Sequence, residues 1–248
     1  MFKNYLKISI RNIIKEKGYS AINILGLAIG MAATILLLLY VHHELSFDTF
    51  HEKSERTYRY VTKAVMGGKP LELPATLGNV MNEVPEQVPE IESMVRLYNE
   101  GNTEVAYEQK KIGDIKYFYT DSSFFDVFSF KILKSRSEKV LATPNTLVLT
   151  HETSQKIFSS ENPLNKILQI REEEYTVNAV IENIPALSHL QFDMLISMET
   201  YEPDIVVRDG ISFSIYFTLA KHVDFEKVSG KIAEASNQVL DKRFEDMG

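Results

Sequence analysis

The histidines of this chain are its first candidates for metal binding. His42 and His43 are adjacent, and His51 follows shortly after them. Imidazole nitrogens are common zinc ligands, but adjacent side chains on a helix point about 100° apart. The pattern therefore favours positions at an interface over a metal site, and we expect no bound metal.

Two further patterns could support hydrolysis. Ser188 and His189 have the residue types of a nucleophile and its base, but the glycines of a nucleophile elbow are missing and no aspartate partner is evident. The run Glu172-Glu173-Glu174 could supply paired carboxylates. A charged run between two strand-like segments is, however, typical of a solvated turn. We expect no catalytic residue.

The sequence does not support nucleotide binding or thiol chemistry. Gly230-Lys231 lacks the glycine five residues earlier and the following serine or threonine of a phosphate-binding loop. The chain contains no cysteine, which excludes disulfides, thiol nucleophiles and thiolate zinc sites. The sequence thus predicts a chain that is not an enzyme and needs no cofactor.

An aromatic cluster is a further candidate site. Its members are Phe124, Phe125, Phe128 and Phe130. Aromatic side chains bury large areas wherever they lie, so the cluster favours a core or a hinge. An apolar substrate groove is the alternative.

The charge of the chain is unevenly distributed. The first 21 residues carry Lys3, Lys7, Arg11, Lys15 and Lys17 against Glu16, a net charge of +4, which leaves −11 for the rest of a chain whose formal charge is −7. Nucleic-acid binding needs a clustered basic face. The acidic remainder therefore argues against nucleic acid as a partner.

Residues 22–40 form an uncharged apolar run of nineteen residues. As a helix the run would be about 29 Å long, close to the hydrocarbon thickness of a bilayer. No small-residue cleavage site follows it, so a retained transmembrane helix is favoured over a signal peptide. The basic residues before the run place the amino terminus in the cytoplasm.

The segment before this run predicts an amphipathic helix that ends at Gly18. Apolar residues recur at helical spacing, and basic residues form one edge. The apolar set is Phe2, Leu6, Ile10, Ile13 and Ile14, and the basic set is Lys3, Lys7, Arg11 and Lys15. Such a helix can lie on the anionic inner leaflet. A basic flank that only orients the membrane helix is the alternative.

Gly26 and Gly30 stand four residues apart inside the apolar run. Small residues at this spacing let a second helix approach closely. The pair therefore predicts a helix-packing face, although glycine is common in membrane helices.

The rest of the chain predicts a mixture of strands and helices. Strands are expected at residues 57–65, 91–98, 146–149, 192–198 and 212–219, with hairpins at 104–120, turning about 110–113, and at 167–181. Helices are expected at 76–82, ended by Pro85, at 152–158, capped by Thr150, and at 224–240.

Five segments, in order, resemble one protein family. They are FKNYLKISIRNIIKEKGYSAINILGLAIGMAA near the amino terminus, YVHHELSFDTFHEKSERTYRY after the apolar run, SFFDVFSF at 123–130, PNTLVLT at 144–150 and SHLQFDMLIS at 188–197. Together they are similar to the MacB-type, or FtsX-like, permeases of ABC transporters. The resemblance covers essentially the whole chain.

The resemblance implies an α+β fold with one amino-terminal transmembrane helix and a two-lobed extracytoplasmic domain. That domain would contain porter-like β-α-β units and an inserted β-rich lobe. The expected boundaries are 1–18 for the amphipathic helix, 19–45 for the transmembrane helix and 46–248 for the periplasmic core domain, with porter-like parts at 57–98 and 212–248 and the insert at 101–199.

The resemblance also implies a function. The chain would be the permease subunit of an inner-membrane machine that couples ATP hydrolysis to movement of the periplasmic domain, in export or efflux. The implied partners are a cytoplasmic ATPase, a second permease half or a second copy, the bilayer, and a periplasmic adaptor or substrate protein. The family's later membrane helices are absent, which predicts a truncated chain. A single-pass membrane-anchored binding or sensor domain is the alternative.

Overall fold

The computed structural model describes residues 2–78, 80–200 and 213–247. The chain divides into two compact units, Met1–Phe47 and Asp48–Gly248. The first unit is helical and the second is a mixture of strands and helices.

The helical unit consists of α1 (Phe2–Lys15) and α2 (Lys17–Leu45). Among the described residues, α2 alone is long and apolar enough to cross a membrane. Its 29 residues span about 43 Å. None of the residues of this described helix is buried, so its isoleucine and leucine side chains need an apolar environment such as a bilayer.

The break between the two helices lies at Glu16, so the prediction that Gly18 ends the first helix is wrong. Glu16 has φ −113° and ψ 60°, outside the helical region. Gly18 lies in the first turn of α2. Glycine permits a helix to end but does not require it. The bonds Glu16 N–H to Asn12 O and Ser20 N–H to Glu16 O keep the helical pattern on both sides of the break.

The second unit contains the remaining elements. Its strands are β1 (Thr57–Arg59), β2 (Thr62–Met66), β3 (Lys69–Leu73), β4 (Ile91–Tyr107), β5 (Lys110–Thr120), β6 (Ile132–Ser135), β7 (Thr146–Thr150), β8 (Ile167–Ile170), β9 (Glu173–Ile181), β10 (Met194–Ser197) and β11 (Ser214–Leu219). Its helices are α3 (Val80–Gln87), α4 (Phe124–Val127), α5 (His151–Phe158) and α6 (Phe225–Met247), with short 3-10 turns at Ser54–Arg56 and Met198–Thr200.

The main sheet follows the strand order β1-β11-β4-β5-β10-β7-β9-β6, and β2 and β3 form a separate hairpin. Strand β8 pairs with both β4 and β9. The path β4-β5-β10-β7-β9-β8 therefore returns to β4 and forms a closed ring. Pairing is parallel between β5 and β10 and between β7 and β9, and antiparallel elsewhere in the ring. Closure reduces the exposed strand edge.

The buried apolar residues that the structure describes form three clusters. The first joins α3 and α6 to β4 and β11, and the second contains the aromatic residues of α4. The third belongs to the strands of the ring and to α5. Leu147 and Leu149 of β7 belong to this third cluster, whereas Val148 between them belongs to the second. Successive strand residues point to opposite sides, so β7 separates the two clusters.

Some local predictions for the second unit are confirmed and others are wrong. The strand predicted at 57–65 is divided into β1 and β2, which pair with different partners. Strand β7 and helix α5 lie where expected, and the Thr150 side chain accepts a hydrogen bond from the Thr153 N–H as the helix cap. The helix predicted at 76–82 lies at Val80–Gln87 and contains Pro85. Thr76 instead forms a bridge with Phe213, while Val80, Val84 and Val88 pack into the first cluster. Burial of this valine stripe outweighs the one hydrogen bond that proline removes.

The first hairpin turns at Glu108-Gln109, earlier than the predicted 110–113, with Tyr107 opposite Lys110. Gly113 lies within β5, next to a register shift in the β4-β5 pairing. This glycine thus belongs to an irregular stretch of strand, where glycine is also common. The second hairpin turns at Arg171-Glu172, so the prediction of a turn at Glu172-Glu173-Glu174 is wrong for the last two residues, which pair with β8 as part of β9. All three glutamates are exposed.

The division at about residue 100 into porter-like and inserted parts remains a prediction. Strand β4 runs without interruption from Ile91 to Tyr107 across the expected boundary. The strand predicted at 212–219 is present as Ser214–Leu219. Ser212 itself lies outside the described residues.

Candidate functional site

The candidate site is the junction segment, residues 48–56, which follows α2 in the chain and belongs to the β-rich unit. Polar contacts bind this segment to loop 187–189, to Ser129 and to Glu92 at the start of β4. The junction segment, residues 123–130 and residues 188–197 each carry one of the sequence motifs noted above. The site is therefore built from segments far apart in sequence.

Asp48 is the first residue of the segment and makes the largest number of these contacts. Its backbone N–H donates to Leu187 O at 2.8 Å. Its Oδ1 accepts bonds from Ser188 Oγ at 3.2 Å and from the His189 backbone N–H at 3.1 Å. Its φ of 57° lies in the left-handed region, which aspartate tolerates better than most residues. These bonds fix both the backbone and the carboxylate of Asp48.

His189 connects this carboxylate to the sheet. Its Nδ1 lies 2.6 Å from Asp48 Oδ2, and its Nε2 lies 2.8 Å from the Tyr216 hydroxyl of β11. When the ring is neutral and Nδ1 donates to the carboxylate, Nε2 accepts from the tyrosine. Tyr216 is buried, and burial raises the pKa of its phenol, so the hydroxyl keeps its proton. The result is a continuous hydrogen-bonded chain of three side chains.

His51 and Glu52 each form one hydrogen bond with Ser129, in a different part of the domain. The His51 Nδ1 accepts from the Ser129 N–H at 3.0 Å, and the Ser129 hydroxyl accepts from the Glu52 N–H at 3.0 Å. The proton of the neutral ring then lies on Nε2, which is buried and has no partner among the described residues. Burial lowers the pKa of His51 to about 4, although the Asp48 carboxylate opposes the shift. The ring is therefore neutral near pH 7.

The far end of the segment is bound to Glu92. Lys53 Nζ lies 2.9 Å from Glu92 Oε1, and Arg56 pairs with the same carboxylate. Lys53 also donates to Asp126 O at 2.7 Å. The hydrogen bonds from Arg56 and Lys53 lower the pKa of Glu92 to about 2. The carboxylate thus remains charged at any physiological pH.

A cavity of about 280 Å³ lies beside these contacts. Its walls include the polar groups Asp48, His51, Arg59 and His189 and the rings of Phe128 and Tyr216. The His51 ring also packs against Phe128 and Phe130, with centroids 5.2 and 5.0 Å away.

The geometry does not match a hydrolytic triad, although His189 does have an aspartate partner. That partner is Asp48, which lies 141 residues earlier in the chain. The Ser188 hydroxyl donates a hydrogen bond to Asp48, and the second ring nitrogen of His189 is hydrogen-bonded to the Tyr216 hydroxyl. A triad needs a nucleophile bonded to the base. Across the described part of the chain, no group of three or more potential metal ligands occurs. The hydrogen bonds among Asp48, Ser188, His189 and Tyr216 anchor the junction segment to the domain.

The predicted aromatic cluster forms part of the core next to this site. Phe124, Phe128 and Phe130 are buried, and the half-buried Phe125 packs against them. The rings of Phe124 and Phe130 are stacked with centroids 5.6 Å apart. The structure therefore gives these residues a packing role and brings two of them into contact with His51.

The other predicted site residues lie in the helical unit. Gly26 and Gly30 are exposed on α2, with open space where a Cβ would stand. Lys7, Arg11 and Lys15 are exposed on α1; Lys3 belongs to that helix, but its side chain is outside the described part. His42 and His43 are exposed in the last turn of α2. Packing and membrane-surface roles for these residues remain predictions.

Sequence reasoning missed Asp48, Glu92, Ser129 and Tyr216. It weighed His51 as a metal ligand or, preferably, as a residue at the membrane interface, whereas His51 is buried in the domain, and it weighed His189 only as a candidate for hydrolysis. One signal was available, because four of these residues lie inside the motifs that carry the family resemblance. The motifs identified a family, but they did not indicate which of their residues contact one another in the folded domain.

Residues 20–235 match the family described as the MacB-like periplasmic core domain. No curated protein matches the chain. Several solved structures share its fold, and three of them are described below. A domain of a protein assigned as a permease, from Porphyromonas gingivalis, is 22% identical with a TM-score of 0.66, over 76% of this chain and 83% of that one.

The second structure is the periplasmic region of MacB from Actinobacillus actinomycetemcomitans, at 17% identity and a TM-score of 0.53, over 66% of this chain and 74% of that one. The third is the extracellular domain of the ABC-type transporter YknZ from Gram-positive bacteria. It is 12% identical with a TM-score of 0.55, over 75% of this chain and 95% of that one.

Proposed function

Because the chain belongs to the family of MacB-like periplasmic core domains of ABC transporter permeases, we propose that it is a permease subunit that transmits movement. A cytoplasmic ATPase drives the membrane helices, and the helices displace the extracytoplasmic domain. The family and the apolar helix α2 together describe a membrane-anchored protein with an extracytoplasmic domain.

The junction segment is the observation that carries this proposal. Ser46 and Phe47 still bond to the carbonyls of His43 and Glu44 in α2, and the next residue, Asp48, is already bonded to Leu187 and His189. The anchored part of the β-rich domain therefore begins three residues after Leu45, the last residue of α2. This short separation along the chain supports a role for the segment in passing movement of the helix to the domain.

The proposal includes a membrane orientation and partners. The amino terminus lies in the cytoplasm, and α1 rests on the inner leaflet through its apolar side, with Lys7, Arg11 and Lys15 near anionic headgroups. The partners are an ATPase, a second permease half or a second copy of the chain, and an adaptor or substrate protein. The activity is export or efflux.

The test is purification of the full-length gene product together with the ATPase encoded beside it. We expect a stable complex in which ATP changes the distance between spin labels placed at the exposed residue Lys111 of two subunits. We would abandon the proposal if no complex forms and no ATP-dependent change is seen.

A further inference from the structure

We infer that His189 is the positioning residue that fastens the chain after α2 to the β-rich domain, by binding Asp48 with one ring nitrogen and Tyr216 with the other. We call these three residues the latch. The role of the latch in transmitting movement rests on the proposed function. Its role in holding the junction segment does not, and the two can be tested separately.

Asp48 places the latch close to the end of the helix in the chain. Asp48 is the third residue beyond Leu45, the last residue of α2. His51, Lys53 and Arg56 are attached further along the segment. A force along the chain from α2 therefore reaches the latch before the other anchors.

The other end of the latch lies in the sheet. Tyr216 belongs to β11, between β1 and β4. Its neighbours Ile215 and Phe217 belong to the cluster that packs α3 and α6. Tyr216 itself packs in the aromatic cluster with Phe128, at a ring distance of 5.2 Å. The latch thus ends on a strand that is held on both faces, which is a firm attachment.

The chemistry of the latch makes it strong but reversible. Its carboxylate-imidazole bond is short and involves a charged acceptor, and such bonds contribute more than neutral ones. The side chains of His189 and Asp48 remain 35% and 26% exposed, so water can replace the bonds when the segment is pulled away. A fully buried pair would resist opening far more strongly.

Hydrogen exchange of the full chain in nanodiscs tests the latch without any partner. We expect His189→Ala to raise the exchange of the amides at residues 48–52 by about tenfold or more, the effect of losing a charged hydrogen bond. Exchange in α6 and β7 should be unchanged. His151→Ala, at an exposed histidine on α5, is the matched control and should change nothing near the junction. Unchanged exchange at 48–52 in the His189 variant, or a uniform rise across the domain, would overturn the inference.

Two milder variants keep the test valid if His189→Ala does not fold. His189→Asn keeps a donor for Asp48 but loses the bond to Tyr216, and Tyr216→Phe removes the same bond from the other side. We expect each variant to raise hydrogen exchange at residues 48–52. The double variant should exchange only slightly faster than either single variant, because both substitutions remove the same bond. Additive effects would show that the two side chains act independently and would overturn the latch as one connected unit.

The complex with the ATPase tests transmission. We expect His189→Asn to assemble and hydrolyse ATP as the unsubstituted protein does, but to lose most of the ATP-dependent change at Lys111. A full response in this variant would overturn the transmitting role of the latch. If the unsubstituted complex shows no ATP-dependent change, the proposed function fails, and the exchange experiment still decides whether the latch holds the segment.

Discussion

At the scale of single residues, His51 shows how burial fixes a protonation state. Its Nδ1 must remain unprotonated to accept the Ser129 N–H. A second proton on the ring would make Nδ1 a donor that faces the Ser129 N–H, which is also a donor, in a buried site. The aromatic rings of Phe50, Phe128 and Phe130 pack around the imidazole and shield it from solvent.

This environment predicts an acid-sensitive contribution to stability. The folded pKa of His51, about 4, lies below its ordinary value of 6.5. Between these pH values the unfolded chain binds more protons, so stability is lost as the pH falls from 6.5 towards 4. Between pH 7.5 and 5 the loss should be about 2 kcal/mol.

Urea unfolding at the two pH values measures this loss. His51→Asn keeps an acceptor for Ser129 but does not titrate in this range. We expect the variant to be less stable than the unsubstituted protein at pH 7.5, because ring packing is lost, and to depend less on pH. An equal pH dependence in both proteins would contradict the assignment of the loss to His51.

Adjacent phenylalanines provide a second prediction at this scale. Phe124 is completely buried, whereas Phe125 is only partly covered. Phe124→Ala should therefore cost about 3 to 5 kcal/mol, and Phe125→Ala should cost clearly less. Thermal unfolding of the two variants compares them directly. Equal losses would show that the chain around α4 repacks.

At the scale of elements, α2 is a long helix with no buried residue. Leucine at Gly26 or Gly30 would meet no atom within 4 Å at its Cβ. The helix itself therefore tolerates a larger residue at either position. A loss of stability or assembly on such a substitution would therefore point to a second helix that packs against these positions.

Gly26→Leu with Gly30→Leu should weaken assembly of the full-length permease and leave membrane insertion and the β-rich domain unchanged. Close helix packing in lipid depends on fit, and each good contact contributes about 1 kcal/mol. Activity and thermal stability of the full-length protein measure the effect, with Leu36→Ile as a control on the same helix. If neither quantity changes, the glycines face lipid.

At the scale of the whole molecule, the uneven distribution of charge predicts the topology. The basic residues precede α2 and the acidic bulk follows it, so the amino terminus should be cytoplasmic and the β-rich domain outside. Alkaline phosphatase fused after residue 60 should be active in cells. An inactive fusion, together with fluorescence from a fluorescent protein at the same position, would reverse the orientation.

The sequence by itself determined the features that depend on neighbouring residues. An uncharged run of nineteen residues, about as long as the hydrocarbon layer of a bilayer is thick, predicts α2, and Thr150 predicts the start of α5, because span length and capping are local properties. The family resemblance followed from whole motifs. Helix α3 was misplaced because its position depends on the packing of Val80, Val84 and Val88 against distant residues.

Only the tertiary structure decided how the candidate site is built. Asp48 and His189 are 141 residues apart, and no local pattern indicates that strand pairing brings them within hydrogen-bonding distance. The same holds for His51, whose neutral state depends on burial by Phe128 and Phe130. Residue types set which bonds a side chain can form, whereas the tertiary fold sets which partners lie within reach.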